Sequence, residues 1–242
     1  MVDQEIYNLL EKGAVRKARH EKGQVLSSLF LREKKDGSQR PILNLKKLNT
    51  FIPYCHFKME TLKNVRDLLM KGDLMVKIDL KDAYFTLPLH QESRKYVRFR
   101  WEGTIYEFLC LCFGLGPAPR LFTKLLKVPM AMLRRINIRL VIYLDDILIM
   151  GATMEEIEWA RDTVLYLLIN LGFVINWVKS VLHPTKIMEY LGVVIDSDEM
   201  SMFLTEEKTL SLTALCQDTL TSGNLTLKEL ESLIGKLADH FS

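Results

Sequence analysis

Arg139-Leu-Val-Ile-Tyr-Leu-Asp-Asp-Ile-Leu-Ile-Met150 is an apolar run that two adjacent carboxylates, Asp145 and Asp146, interrupt. Its flanks are rich in Ile, Val and Leu, which predicts two strands with the aspartates at the turn between them. A buried carboxylate costs roughly several kcal/mol unless it is paired or bound to metal. A hairpin that presents both carboxylates at its tip therefore indicates a divalent-cation site, although Asp is also common in ordinary β-turns.

A third carboxylate ends another apolar strand further upstream. Leu74-Met-Val-Lys-Ile-Asp79 predicts a buried strand that delivers Asp79 at its end. Two strands from distant parts of the chain can place such carboxylates side by side in one sheet. The cluster would suit two hard cations of the Mg²⁺ type, which clamp the attacking and leaving oxygens of an in-line phosphoryl displacement. Asp79 alone could be a capping or surface residue, but its combination with the later hairpin favours nucleotide polymerisation.

Six motifs along the chain resemble one known family. They are Arg40-Pro-Ile-Leu-Asn-Leu-Lys-Lys-Leu-Asn49, Lys77-Ile-Asp-Leu-Lys-Asp-Ala-Tyr84, Phe113-Gly-Leu-Gly-Pro-Ala-Pro119, Tyr143-Leu-Asp-Asp146, Asn176-Trp-Val-Lys179 and Tyr190-Leu-Gly192. The series resembles the reverse transcriptases of retroviruses and long-terminal-repeat retroelements. Its details are most similar to the DIRS-like and gypsy-like retrotransposon enzymes. Six motifs in one order are far more specific than any single motif.

The predicted elements favour an α+β fold, because strands and helices mix without regular βαβ alternation. The resemblance implies the fingers and palm of a right-hand polymerase, with an antiparallel palm sheet and a partial helical thumb. It also implies a division of the chain: fingers at 1–72, palm at 73–91, fingers at 92–112, palm at 113–197, and the start of the thumb or connection at 198–242.

Hydrophobic periodicity and capping residues predict the individual elements. Helices are predicted at 3–12, 59–70, 119–135 with a kink at Pro129, from the capping box of Thr153 and Glu156 to about Leu171, and after the capping box of Thr226 and Glu229. Strands are predicted at 25–33, 40–43, 96–100, 104–109 and 193–195. The apolar stripes of the last two helices are Ile157, Ala160, Val164, Leu168 and Leu171, and Leu227, Leu230, Ile234 and Leu237.

The resemblance implies a catalytic site that holds two Mg²⁺, with Mn²⁺ as a possible substitute. Asp79 and Asp145 would ligate both metals, Asp146 would lie close by, and the Leu80 carbonyl would supply a further oxygen. Lys179 matches a lysine proposed as the general acid for the pyrophosphate leaving group. An ordinary surface lysine is an equally good interpretation of Lys179, because geometry must come before pKa.

The resemblance also implies a nucleotide site and a primer site. Lys35 or Lys34, together with Arg40, would grip the triphosphate, and backbone amides near Asp82 and Ala83 would hold the same phosphates. Tyr84 would exclude a ribose 2′-OH, although it could be a core aromatic instead. Phe113 would pack against the nucleotide, Gly114 would allow close backbone approach, and Tyr190-Leu191-Gly192 would steady the primer terminus.

Charge patterning gives weaker evidence for nucleic acid. The net charge is only +3, but basic residues concentrate at 32–47, at 94–100 and within the first 22 residues. Such clusters suit phosphate contacts, whose contribution to affinity falls as salt rises. For any single lysine, a solvated surface position is the better interpretation.

Other classes of protein are disfavoured. The longest uncharged stretch, at 163–178, is shorter than the roughly 20 apolar residues of a membrane span. No N-terminal signal pattern is visible. Four cysteines favour a reduced setting, and Cys110 and Cys112 alternate along a strand as core residues do. The expected location is therefore intracellular, in the cytoplasm or nucleus, without a membrane partner.

The sequence thus predicts an RNA-directed DNA polymerase that extends a primer on an RNA or DNA template with deoxynucleoside triphosphates. A catalytically inactive nucleic-acid-binding remnant of the same fold is one alternative, and an RNA-dependent RNA polymerase is another. The intact set of aspartates argues against the first alternative, and Tyr84 argues against the second. The chain is expected to be part of a longer polyprotein, and its host, priming mechanism and oligomeric state stay open.

Overall fold

The computed structural model describes residues 2–34, 37–222, 226–227, 229–231 and 233–235 and divides into two compact units. The first unit comprises Met1–Lys58, Leu80–Pro129 and Asn170–Val174, and the second comprises Met59–Asp79, Met130–Ile169 and Ile175–Ser242. The chain therefore passes from one unit to the other within a single strand, between Asp79 and Leu80. The finer division into fingers, palm and thumb segments stays a prediction.

The helices and strands are as follows. The α-helices are α1 (Val2–Glu11), α2 (Lys46–Asn49), α3 (Leu62–Leu68), α4 (Ala118–Arg135), α5 (Met154–Asn170) and α6 (Glu206–Ser222), and short 3₁₀ helices span Ala83–Thr86 and Gln91–Tyr96. The strands are β1 (Val15–Ala18), β2 (Leu26–Ser27), β3 (Leu29–Glu33), β4 (Gln39–Leu43), β5 (Leu74–Lys81), β6 (Arg98–Trp101), β7 (Thr104–Phe108), β8 (Arg139–Tyr143), β9 (Asp146–Gly151), β10 (Val174–Ile175), β11 (Val181–Thr185), β12 (Ile187–Tyr190), β13 (Val193–Asp196) and β14 (Ser201–Leu204).

Most predicted elements are present, and the exceptions have local causes. The strand predicted at 25–33 is two strands, because its first part pairs with β6 and its second part with β4. The helix predicted at 59–70 is shorter, since its capping box forms at Thr61, whose backbone N–H donates to the side-chain oxygen of Asn64. Leu171 lies beyond the end of α5 and is exposed, so its place in the buried stripe was wrong.

Only part of the helix predicted after Thr226 lies among the described residues. The capping box of Thr226 and Glu229 forms, with the Thr226 N–H bonded to the Glu229 carboxylate and the Glu229 N–H bonded to the Thr226 hydroxyl. Three stripe residues are exposed in this unit, namely Leu227, Leu230 and Ile234. Leu237 lies outside the described residues.

The first unit is built on a four-stranded sheet in the order β1-β7-β6-β2, beside the β3–β4 hairpin. Strand β2 runs parallel to β6, and the other neighbours are antiparallel. Its core includes Leu9 from α1, Leu43 from β4 and Phe99 and Phe108 from the sheet. Helix α1 contributes through the side chains that recur every three to four positions and face this core.

The buried ion pair of Arg98 and Glu107 shows that one of the basic residues predicted to contact phosphate has a structural role. Arg98 was grouped with candidate phosphate contacts, but its side chain is buried and donates to Glu107, Glu21 and Gln24. Glu107 also accepts from Arg16 at 2.7 Å. Burial alone would raise the pKa of Glu107, but hydrogen bonds from the two arginines outweigh it and lower the pKa. Arg98 is therefore a buried structural residue, while Arg16 pairs with the same carboxylate from a side chain that stays about half exposed.

The second unit is built on a sheet in which β5 pairs with β9, β9 with β8 and β11 with β5, all antiparallel. Strand β10 continues this sheet beyond β5. Strand β9 is buried at every position from Ile147 onward, as expected for a strand covered on both faces. Helix α5 buries four residues of its predicted stripe, namely Ile157, Ala160, Val164 and Leu168. The separate sheet β12-β13-β14 adds Tyr190, Val193 and Ile195 to the core.

A bidentate ion pair fixes the end of β8 that lies away from the aspartates. Arg139 donates to both carboxylate oxygens of Asp73 at 2.6 and 2.7 Å, and the Asp73 side chain is buried. Asp73 also accepts the Met70 N–H, while its carbonyl accepts the Ser197 hydroxyl. Breaking a buried pair of this kind leaves an uncompensated charge, so the contact sets the position of β8 within the unit.

No helix in the described part of the chain is both long and apolar enough to cross a bilayer.

Candidate active site

Asp79 and Asp146 face each other across neighbouring strands. Strands β5 and β9 are antiparallel, and their register places Asp79 directly opposite Asp146, the first residue of β9. Side chains at opposite positions lie on the same face of a sheet, with Cβ atoms about 4.5–5.5 Å apart. The prediction that two distant strands bring their carboxylates side by side in one sheet is therefore confirmed.

Asp145 lies at the tip of a tight turn between β8 and β9. Tyr143 pairs with Asp146, so only Leu144 and Asp145 connect the two strands. Leu144 has φ of 53°, a region that residues other than glycine seldom adopt. Backbone strain of this kind is concentrated at functional sites. The turn presents Asp145 next to Asp146, and Asp79, Asp145 and Asp146 together are called the carboxylate cluster below.

The charges of the carboxylate cluster act strongly on Asp146. Burial, then the Asp145 carboxylate, then the Asp79 carboxylate raise the pKa of Asp146 to about 6. Lys77 and Lys179 act in the opposite direction and lower it. A raised carboxyl pKa is the expected result when negative charges are held close together in a partly buried place.

The carboxylate cluster fits a divalent cation, although no three acidic, His or Cys side chains among the described residues are gathered tightly enough to form a ready-made metal site. The donors are all carboxylate oxygens, which Mg²⁺ and Mn²⁺ prefer. The repulsion seen at Asp146 is also what a bound cation would relieve. The residues present therefore suit the metal that the sequence predicts.

The raised pKa of Asp146 predicts how stability depends on pH without metal. Between about pH 4 and pH 6 the folded chain holds this proton and the unfolded chain does not, so the free energy of unfolding falls as pH rises through that window. The decline from this group is at most about 3 kcal/mol. Urea unfolding in EDTA should show it in the parent protein and not in Asp146→Asn. Mg²⁺ added at pH 7 should stabilise the parent more than the variant.

Identical pH profiles for the parent protein and Asp146→Asn between pH 4 and pH 6.5 would contradict the close approach of the three carboxylates. Every other titrating carboxyl group is common to both proteins, so the comparison isolates the contribution of Asp146.

Lys179 belongs to a turn at 176–180 that packs on the end of β5. The turn is closed by the N–H groups of Lys179 and Ser180, which both donate to the Asn176 carbonyl. The Asn176 side chain donates to the Asp79 carboxylate at 2.7 Å. Lys179 lies near enough to lower the pKa of Asp146, so the structure places this predicted general acid beside the carboxylate cluster.

The hairpin between β12 and β13 places only part of its predicted primer-binding residues at the surface. The Tyr190 side chain is buried, and its hydroxyl donates to the backbone carbonyl of Asp146 at 3.2 Å. Leu191 and Gly192 form the turn, both with positive φ, and Lys208 of α6 donates to the Leu191 carbonyl. Tyr190 therefore supports the strand that carries Asp146, while Leu191 and Gly192 are half-buried.

Three of the predicted nucleotide-binding side chains, those of Arg40, Phe113 and Tyr84, contact one another in the first unit. The Arg40 guanidinium lies 4.7 Å from the ring centroid of Phe113, a cation–π contact. The ring of Phe113 lies 5.1 Å from that of Tyr84, which makes an edge contact with Phe122 at 5.7 Å. Tyr84, Phe113 and Phe122, called the aromatic cluster below, thus give Tyr84 a fixed position and Arg40 an apolar support.

Gly114 is required by close packing. It has φ of 103°, and a Cβ atom at this position would collide with the carbonyl oxygen of Leu43. The segment is fastened further by Asn49, whose side chain donates to the Gly114 carbonyl and accepts the Gly116 N–H, both at 2.9 Å. Sequence reasoning quoted Asn49 as part of a motif and gave it no role.

The other basic residues predicted to contact phosphate lie in and after the β3–β4 hairpin strands. Arg32 is directly opposite Arg40 in the β3–β4 ladder, and both are exposed. Like charges at opposite positions are destabilising, and an anion between them would relieve this repulsion. Arg32, which belongs to the basic stretch 32–47, is therefore a candidate phosphate contact together with Arg40. Lys34 lies at the turn after β3 and donates its N–H to Ser38. Lys35 lies outside the described residues.

Asp82 begins the 3₁₀ helix that carries Ala83 and Tyr84. Its φ of 53° turns the chain sharply at the end of β5. Lys12 forms an ion pair with the Asp82 carboxylate at 2.8 Å and also approaches the Phe85 ring. The pairing reduces the negative charge next to the backbone amides that were predicted to hold phosphate.

The fold defines the class of protein. The foamy viral protease–reverse transcriptase in complex with dsDNA has a TM-score of 0.78 at 24% identity, over 98% of this chain and 46% of that chain. The foamy viral protein in complex with an RNA/DNA hybrid gives 0.74 at 22% identity, over 97% of this chain and 30% of that chain. The chain therefore has the α+β right-hand polymerase fold of reverse transcriptases.

The sequence comparison gives the family. The family described as Reverse transcriptase (RNA-dependent DNA polymerase) matches residues 32–195. This chain belongs to that family. The Transposon Tf2-3 polyprotein of Schizosaccharomyces pombe is 24% identical over 160 residues, which is 66% of this chain and 12% of that polyprotein. The chain thus spans about an eighth of such relatives, and its finer assignment to DIRS-like or gypsy-like elements stays a prediction.

Proposed function

We propose that this chain is the polymerase portion of a retroelement reverse transcriptase. It extends a primer on an RNA or DNA template by transferring deoxynucleotides with release of pyrophosphate. The observation that carries this proposal is the register that sets Asp79 opposite Asp146, with Asp145 at the adjoining turn. The foamy viral relatives bound to dsDNA and to an RNA/DNA hybrid support a template–primer duplex as the partner. An intracellular location would suit this activity.

The carboxylate cluster would hold two Mg²⁺, or Mn²⁺ in their place, with the Leu80 carbonyl as a further ligand. When bound, the metals would stabilise the charge that develops on the attacking and leaving oxygens. Asp79, Asp145 and Asp146 would be the side chains that hold these ions. Lys179, beside Asp146 in the second unit, donates a proton to the leaving pyrophosphate. Positioning and charge stabilisation account for most of the catalysis in phosphoryl transfer.

The first unit would supply the groups that recognise the nucleotide itself. Arg40, with Lys34 or Lys35, binds the triphosphate, and the backbone near Asp82 and Ala83 holds the same phosphates. The aromatic cluster places Tyr84 against the sugar. Gly114, which packs directly on the Leu43 carbonyl, would hold the backbone beside Phe113 in the position that the nucleotide approaches. Leu191 and Gly192 hold the primer end.

Substitution of Arg40 should raise KM for the nucleotide more than it lowers kcat. A hydrogen bond to a charged group contributes about 1.5–3 kcal/mol, so Arg40→Ala should raise KM for the deoxynucleotide by about 10- to 100-fold. Arg40→Lys should recover part of this loss, because it keeps the charge and loses the planar fork. Steady-state primer extension measures both constants, and Arg66→Ala, at an exposed position of α3, is the matched control. An unchanged KM in Arg40→Ala would remove this residue from the triphosphate site.

The proposal as a whole is tested by primer extension. The chain is incubated with poly(rA)/oligo(dT), deoxythymidine triphosphate and Mg²⁺, and elongated products are measured with and without EDTA. A nucleic-acid-binding remnant would bind the same duplex and give no products under any metal. Binding without synthesis by a folded chain would therefore favour that alternative.

A further inference from the structure

The turn at 176–180 forms a self-contained hydrogen-bonded unit. Its first carbonyl, that of Asn176, accepts three hydrogen bonds, from the Lys179 N–H at 3.2 Å, the Ser180 N–H at 2.9 Å and the Ser180 hydroxyl at 2.8 Å. A carbonyl with several donors on it holds the turn in one conformation. The side chains of Trp177 and Val178, in contrast, project outward and are 58% and 95% exposed.

This turn forms three hydrogen bonds with Asp79. The Asn176 N–H donates to the Asp79 carbonyl at 2.8 Å, and the Asp79 N–H donates to the Ser180 hydroxyl oxygen at 3.0 Å. The third contact is the side-chain bond from Asn176 Nδ2 to Asp79 Oδ1 at 2.7 Å. The backbone on both sides of Asp79 and one of its carboxylate oxygens are therefore fixed by five consecutive residues.

The chemistry of the Asn176 contact suits a metal ligand. The amide donates one hydrogen bond to one carboxylate oxygen, and it brings no charge that would compete with a cation. The other oxygen, Oδ2, keeps its lone pairs. Asp79 also lies opposite Asp146, so an Asp79 side chain held by nothing would tend to rotate away from the like charge. A neutral donor counteracts this rotation and leaves the site negative.

We propose that Asn176 is a positioning residue that orients the Asp79 carboxylate toward the divalent cation, with Ser180 fixing the Asp79 backbone. The inference rests on the proposed function, because it assumes that Asp79 binds metal. It also explains why Lys179 lies within this turn: one hydrogen-bonded segment sets both the metal-binding carboxylate and the lysine beside Asp146. Partners that orient a metal ligand commonly affect metal affinity by about 10- to 100-fold.

The test compares three variants with one control in the same turn. Asn176→Leu keeps the branched shape of the side chain and removes the donor. Ser180→Ala removes the hydroxyl, and Ser180→Thr retains it. Val178→Ala is the matched control, because its side chain touches solvent. Mn²⁺ binding is measured by electron paramagnetic resonance without nucleic acid, and the Mg²⁺ concentration for half-maximal primer extension is measured separately.

Asn176→Leu should weaken Mn²⁺ binding and raise the half-maximal Mg²⁺ concentration by about tenfold, with kcat at saturating Mg²⁺ affected less. Ser180→Ala should weaken binding in the same direction, and Ser180→Thr and Val178→Ala should resemble the parent. If Asn176→Leu does not fold, the Ser180 pair decides: equal Mn²⁺ affinity in Ser180→Ala and Ser180→Thr overturns the inference. A folded Asn176→Leu that binds Mn²⁺ like the parent overturns it as well.

Failure of the proposed function would look different. A parent chain that neither binds Mn²⁺ nor extends primers would overturn the polymerase proposal itself, whatever the variants do. A parent that binds Mn²⁺ and extends primers, beside an Asn176→Leu variant with unchanged metal affinity, would overturn only the role of Asn176.

Discussion

Replacing Asp145 by Asn is expected to abolish primer extension while the chain still folds. The substitution keeps the side-chain volume and removes a charge at the turn where metal ions would be held. We expect a loss of more than about a thousandfold in rate, which corresponds to about 4 kcal/mol of transition-state stabilisation. Product formation over time measures the loss, and filter binding of the template–primer checks that association is retained.

The same variant should be at least as stable as the parent when metal is absent. The Asp145 carboxylate is one of the charges that raise the pKa of Asp146, so its removal relieves repulsion in the carboxylate cluster. Thermal unfolding in EDTA measures this effect. Asp67→Asn, at an exposed position of α3, removes an equal charge outside the carboxylate cluster and should leave synthesis unchanged. Extension by Asp145→Asn at near the parental rate would show that the catalytic assignment is wrong.

Substituting Tyr84 by Val is expected to relax the choice of sugar. The Tyr84 ring is held by Phe113 and Phe122, so it cannot easily move away from a bulkier substrate. A fixed ring under the sugar would collide with a 2′-OH, the group that distinguishes ribose from deoxyribose. Each ~1.4 kcal/mol of collision corresponds to tenfold in selectivity. We expect Tyr84→Val to raise ribonucleotide incorporation relative to deoxynucleotide incorporation by well over tenfold.

Two further variants separate this gate from a role in the core. Tyr84→Phe retains the ring and should retain the selectivity. Tyr106→Val removes a buried tyrosine of the same unit, which stacks on Phe99, and should lower stability without changing the sugar ratio. The ratio of incorporated ribonucleotide to deoxynucleotide is measured by competition on one template. An unchanged ratio in folded Tyr84→Val would remove the main argument for DNA synthesis over RNA synthesis.

The sequence was most informative where local pattern and chemistry coincide. The apolar strands that end in Asp79 and precede Asp145 can be read directly, because a charge in such a run requires a partner or a metal. The register between the strands could not be read, since a ladder is set by contacts between segments that lie far apart in the chain. That register is what places Asp146, the second aspartate of the pair, opposite Asp79.

The residues that support the site were harder to predict than the residues that form it. Asn49 and Asn176 act through hydrogen bonds to segments 65 and 97 positions away, and an isolated Asn carries no pattern that reveals such a partner. Tyr190 is a similar case. Its motif suggested contact with the primer, but the hydroxyl is directed inward to the Asp146 carbonyl.

By itself the sequence determined the family and the α+β class and predicted the three aspartates, because motif order, hydrophobic period and carboxylates in apolar strands are local properties of the chain. Only the tertiary structure decided which charges are exposed. Arg40 lies in β4 and Arg98 in β6, both strands of the first unit. Arg98 is nevertheless buried against Glu107, whereas Arg40 is exposed and stacks on the Phe113 ring. The reason is physical: the partner that makes a charge structural is supplied by another strand, and its position depends on the complete fold.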